Sequence, residues 1–84
     1  MDSLKYLYWY DMEGNLHHHI STYRDIIFAC KASGAEHHWC YDPSYQFTSP
    51  WICYDSNAGI KNIIGECELP AEVRALHLLI FRGV

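Results

Sequence analysis

Leu4-Lys5-Tyr6-Leu7-Tyr8-Trp9-Tyr10-Asp11-Met12-Glu13-Gly14-Asn15-Leu16-His17-His18-His19-Ile20 is the stretch on which the fold turns. Residues 4–10 are crowded with Tyr, Trp and Leu, side chains that suit a pleated, half-buried surface, and read as a strand. Gly14 and Asn15 tolerate positive φ, so residues 11–15 predict a turn and residues 16–20 the returning strand. In that strand Leu16, His18 and Ile20 share one side and His17 and His19 the other. The chain therefore opens on a β-hairpin.

Working outward, Ser21 and Thr22 are good helix caps, and Thr22 with Asp25 resembles a capping box. Tyr23, Ile26, Ile27 and Cys30 follow at helical spacing, with Gly34 as the stop signal. Residues 39–41, 45–48 and 51–54 read as short strands broken by Asp42-Pro43-Ser44 and by Pro50, positions that suit edges rather than a sheet centre. Asp55-Ser56-Asn57 offers caps, and Ile60, Ile63, Ile64 and Cys67 repeat as i, i+3, i+4, i+7, predicting a second helix that Leu69-Pro70 ends. Residues 73–81 fit two patterns. Pro70, Glu72 and Gly83 frame a helix, whereas an apolar run relieved only by Arg74 and His77 fits a strand buried on both faces, the reading preferred here. The expected architecture is one α+β domain spanning residues 1–84: an antiparallel sheet, made of the hairpin and further short strands, with two helices on one face.

Composition narrows the function classes. A chain of 84 residues is a single domain whose folding buries roughly 60–65% of its unfolded surface. Seven Tyr, three Trp and three Phe supply the bulk for so small a core. The net charge is −4, and Lys5, Arg24, Lys31, Lys61, Arg74 and Arg82 are scattered, so no basic stripe exists to hold nucleic acid. Glu66, Glu68 and Glu72 form too small an acidic group to imitate DNA. The first residues lack the cationic and apolar segments of a signal peptide, and the longest apolar run, residues 78–81, is too short to span a bilayer. A cytoplasmic protein with reduced cysteines is expected, in a host cytoplasm if it is phage-encoded.

Residues 37–54 concentrate the groups that could carry chemistry. Cys30, His37, Cys40 and Cys53 combine into a three-thiolate, one-imidazole set of the kind that holds zinc at about 2.3 Å per sulfur. Only half of a paired knuckle is present, so buried thiols are the stronger expectation and no cofactor is required. His17 and His19 could grip a transition metal from one strand face. A cysteine nucleophile would need Cys40 beside His37, or Cys53 beside His38, with Asp42 or Asp55 orienting the ring. No glycine-rich oxyanion or phosphate loop accompanies those residues.

Trp39, Tyr41, Tyr45, Phe47, Trp51 and Tyr54 alternate with polar residues through the proline-broken stretch, and such rings make interface hot spots. The expectation is that they face outward and bind a protein partner, a larger enzyme or complex, with no direct nucleic-acid or membrane contact. The protein would then be a small inhibitor, similar in size and composition to phage and mobile-element products that block host defence enzymes, anti-CRISPR proteins among them. That analogy covers no motif. A zinc-binding structural module and a cysteine-dependent enzyme are the alternatives. An exposed apolar strand at residues 73–81 would also invite a homodimer by sheet extension.

Overall fold

The computed structural model describes residues 4–44, 49–55 and 60–82, with the backbone alone at Tyr23, Arg24, Ile27 and Ile60. Its elements run β1 (Lys5–Tyr10), β2 (Leu16–Ser21), α1 (Tyr23–Ser33), β3 (His37–Tyr41), β4 (Trp51–Asp55), β5 (Ile60–Ile64), a 3-10 turn (Glu66–Glu68) and α2 (Ala71–Arg82). The five strands form one antiparallel sheet in the order β2-β1-β3-β4-β5. It is a small α+β domain, as expected.

The hairpin forms where the sequence places it. Tyr8 registers with His18 and Trp9 with His17, and Gly14 closes the turn at φ 86°. Asp11 Oδ1 accepts from the backbone N–H groups of Glu13 and Asn15, each at 2.9 Å, which replaces hydrogen bonds that the turn cannot make to itself. The first helix also stands where predicted. Its hydroxyl cap differs in detail: Ser21 and Thr22 donate to the Asp25 carboxylate at 2.8 and 3.4 Å rather than accepting from the backbone.

Gly34 ends α1 at φ 71°, a left-handed position that glycine adopts without strain. A methyl group there meets nothing within 4 Å, so the cost of Gly34→Ala is purely conformational. We expect a loss of about 1 kcal/mol, read as a lower urea midpoint at unchanged slope; an unshifted midpoint would show that the cap carries no strain.

Alternation along β1 builds two separate cores. Leu7, Cys40 and Ile52 join Ile26 of α1, with Ala29 and Cys30 packed beside them. Tyr8 and Trp51 join Leu69 and Val73, with Leu76 and Ile80 of α2 packed against the cluster. Neighbouring residues of a strand point to opposite sides, so α1 and α2 cover opposite faces of the sheet. The one-faced helix layer expected from the sequence is corrected accordingly.

Two elements depart from the sequence reading. Residues 60–64 are the edge strand β5, not a helix. Three β-branched isoleucines between Gly59 and Gly65 favour a pleated strand, and five residues are too few for a stable helix to repay its nucleation. Residues 71–82 are a helix, not a strand. Pro70 precedes the first turn, and its carbonyl accepts from Arg74 N–H at 3.1 Å, while Val73, Leu76, His77 and Ile80 turn one stripe inward. The strand suggested at residues 45–48 lies outside the described residues. Among the described residues no helix is long and apolar enough to cross a membrane.

Candidate functional site

The end of the sheet that carries the hairpin turn is hollow. Tyr10 finishes β1, Asp11 and Met12 begin the turn, and Trp39 stands beside Tyr10 on the α2 face of β3. The two rings meet edge to face at 5.9 Å and 87°. Residues 33–37, which lead from α1 into β3, form the opposite wall. Between them lies an open cavity of about 480 Å³, mostly apolar, with Asp11, Glu36 and His37 adding polarity. Met12 is fully exposed at its lip.

His17 approaches Asp11 Oδ2 at 2.7 Å. That hydrogen bond, assisted by the backbone of Asn15 and Glu13, lowers the Asp11 carboxyl to about 2 and keeps it ionised. The other side of His17 stacks on Trp9 at 5.6 Å. The imidazole is thus engaged as a brace of the turn, and His17 and His19 form no metal-binding pair with a third ligand among the described residues.

Beneath one wall of the hollow, Ser33 Oγ lies 2.7 Å from His38 Nε2. The contact has the length of a nucleophile–base pair, but its hydrogen bonds run the other way. Ser33 donates its hydroxyl hydrogen to the Cys30 carbonyl at 3.0 Å, so His38 donates Nε2–H to Ser33. Burial also lowers the His38 pKa, with His37 adding to the effect. The pair ties the end of α1 to β3.

A second concentration of polar groups lies beneath α2. The Tyr8 phenol and His77 Nδ1 are 2.8 Å apart, and the imidazole is ringed by Tyr41 at 4.4 Å, Trp51 at 4.8 Å and Phe81 at 5.2 Å. Burial raises the Tyr8 pKa, helped by Tyr6 and Cys40. Burial lowers that of His77 by more than Glu66 raises it. Both groups are therefore neutral near pH 7, with the phenol donating to Nδ1 and the ring proton on Nε2.

The structure divides the residues singled out in the sequence. Trp39, Tyr41 and Trp51 lie on the α2 face and Tyr54 on the α1 face, so they do not make one surface. Trp51 is 3% exposed and belongs to the core, which corrects its expected outward position. Trp39, Tyr41 and Tyr54 are half-buried; Tyr45 and Phe47 lie outside the described residues.

The proposed zinc set is likewise split by the sheet. Cys30 and Cys40 sit in the α1-side cluster, while His37 and Cys53 fall in the register of Trp39 and Tyr41 on the other side. The same division separates Cys40 from His37 and Cys53 from His38. Asp42 pairs with Lys5 at 3.8 Å. All four thiols are free, and burial raises Cys30 to about 11 and Cys40 to about 12. Burial also raises Cys53, and these shifts oppose thiolate formation.

The hollow itself was missed at the sequence level. Tyr10 and Met12 reach it from one stretch of chain and Glu36 and Trp39 from another, and only the pairing of β1 with β3 brings the two together. No protein-family model matches the chain, and no curated protein or solved structure matches it either.

Proposed function

We propose that the protein is a small protein-binding module, an inhibitor that lies against a larger enzyme or complex of the kind phages target in host defence. The hollow between Tyr10, Met12 and Trp39 carries this reading. It offers two rings and a solvent-exposed methionine, groups that are enriched at interface centres. Asp11 and Glu36 on its rim give it a negative potential, in keeping with the net charge of −4. The partner group that fits is a lysine or arginine side chain, its stem along the rings and its charge toward the carboxylates.

The test uses Met12→Glu and Glu36→Arg, both at exposed positions, alongside the unaltered chain in capture from the native host. A partner held through the hollow is expected to bind at least roughly tenfold more weakly to each variant, about 1.4 kcal/mol. Equal capture by all three chains would remove the hollow from the interface. Trp39→Ala is a poorer probe because Trp39 also packs against the α2-side core.

A further inference from the structure

The outward side of α2 is a second surface, and none of its residues lines the hollow. Helix α2 spends one stripe, Val73, Leu76, His77 and Ile80, on the sheet. A neighbouring stripe at i, i+3, i+7 and i+10 carries Glu72, Ala75, Leu79 and Arg82, and all four are exposed. Leu79 is 56% exposed, and Leu78 beside it 40%. A surface helix usually presents charged groups on the side away from the core. Here the middle of that side is apolar, and the charges stand only at its ends.

That stripe is complementary to itself. Turned over about a two-fold axis near residue 77, each position i meets a position near 154 − i, so Glu72 faces Arg82 of the other copy at both ends. Ala75 then faces Leu79, a small side chain against a large one, on both sides of the axis. An antiparallel arrangement also sets each helix dipole against the opposite end of its neighbour. Glu72 has a second engagement, because burial raises the Tyr10 pKa and the nearby Glu72 carboxylate adds to the rise through its charge and a hydrogen bond. A carboxylate has room for both bonds.

We infer that α2 is a self-association surface that pairs with α2 of a second copy, antiparallel, through Ala75, Leu79 and the Glu72–Arg82 contacts. The interface is isologous, as two-fold dimers require. One pair of 12-residue helices, each about 18 Å long, falls short of the ~1,200 Å² typical of tight complexes. The dimer is therefore weak and dependent on concentration.

Sedimentation equilibrium of the full chain from micromolar to millimolar concentration tests this. Dimerisation is expected within that range, with Leu79→Glu raising the dissociation constant roughly tenfold or more. Arg82→Glu alone should weaken the dimer, and Glu72→Arg with Arg82→Glu in one chain should restore it, since the two contacts re-form with reversed sign. Circular dichroism checks that each variant keeps its helix content. A chain that stays monomeric at millimolar concentration overturns the inference. So does a dimer indifferent to Leu79→Glu, or a doubly reversed chain no tighter than Arg82→Glu. Leu79→Glu and Arg82→Glu leave the lining of the hollow untouched, whereas Glu72→Arg also removes the contact to Tyr10 on its wall, so the doubly reversed chain is used only for the dimer measurement.

Discussion

Trp51→Ala should lower the free energy of unfolding by about 3–5 kcal/mol, the cost of removing a buried large aromatic side chain from a core. The indole is 3% exposed and meets Tyr41 at 5.1 Å, Tyr8 at 5.9 Å and His77 at 4.8 Å. No single neighbour can move in to fill the space, because each of those rings also touches another. A domain of this length holds roughly 0.05–0.15 kcal/mol per residue in total, so the variant would be close to unfolded at room temperature. Urea titration followed by circular dichroism measures the effect directly. A stable Trp51→Ala chain with intact helix signal would mean that the tryptophan is not part of the core described above.

The Tyr8–His77 hydrogen bond sets the second large effect. Tyr8→Phe keeps the ring and removes only the hydroxyl, leaving Nδ1 of His77 buried without its donor; the expected loss is about 1–3 kcal/mol. Replacing His77 as well, with Leu, removes both polar partners and should return part of that loss. The same imidazole makes stability depend on pH. His77 and His38 both have folded pKa values below the ordinary 6.5. As pH falls through 6.5, the unfolded chain takes up protons that the folded chain still refuses, so the unfolded state binds more protons and stability declines. The decline stops once pH has passed below the folded values. Urea midpoints taken between about pH 7 and 5 should fall accordingly, and Tyr8→Phe with His77→Leu should flatten part of the slope. A midpoint constant over that range in the unaltered chain would show that neither ring is buried neutral.

Local chemistry made much of this fold legible. The hairpin was readable because Gly14 and Asn15 follow an aromatic-rich strand and precede residues 16–20, in which Leu16 and Ile20 fall on one side, and α1 because its Ile and Cys residues keep helical period up to Gly34. Residues 60–64 misled because three isoleucines happen to satisfy i, i+3 and i+4. The glycines on both sides and the β-branched side chains were the better signal. At residues 71–82 the outward Leu78 and Leu79, exposed by 40 and 56%, together with Phe81, which keeps 47% of its surface exposed while stacking on His77, hid the amphipathic pattern. A helix whose outer side is apolar looks in sequence like a strand buried on both faces.

The candidate site was less legible. Its walls come from residues 10–12, 33–37 and 39, and no spacing rule joins them. Conversely, adjacency within residues 37–54 suggested one cluster where the pleat of β3 and β4 creates two. His37 and His38, or Trp39 and Cys40, are neighbours in the chain and lie on opposite sides of a sheet.

Leu7 and Tyr8, each without exposed surface, stand back to back at the middle of β1. The fully buried groups on one side of the sheet are Leu7, Ile26, Cys40 and Ile52, whereas on the other the rings of Tyr8 and Trp51 pack with Leu69 and Val73. A single-residue insertion or deletion within β1 would exchange the two sets, forcing phenols into a space shaped for Leu and Cys. Such length changes should be lethal to folding there, yet far milder at the exposed Met12 and Glu13, where only the turn contacts of Asp11 are lost. The protein can thus be lengthened, tagged or grafted at that loop, beside the very hollow proposed to meet its target.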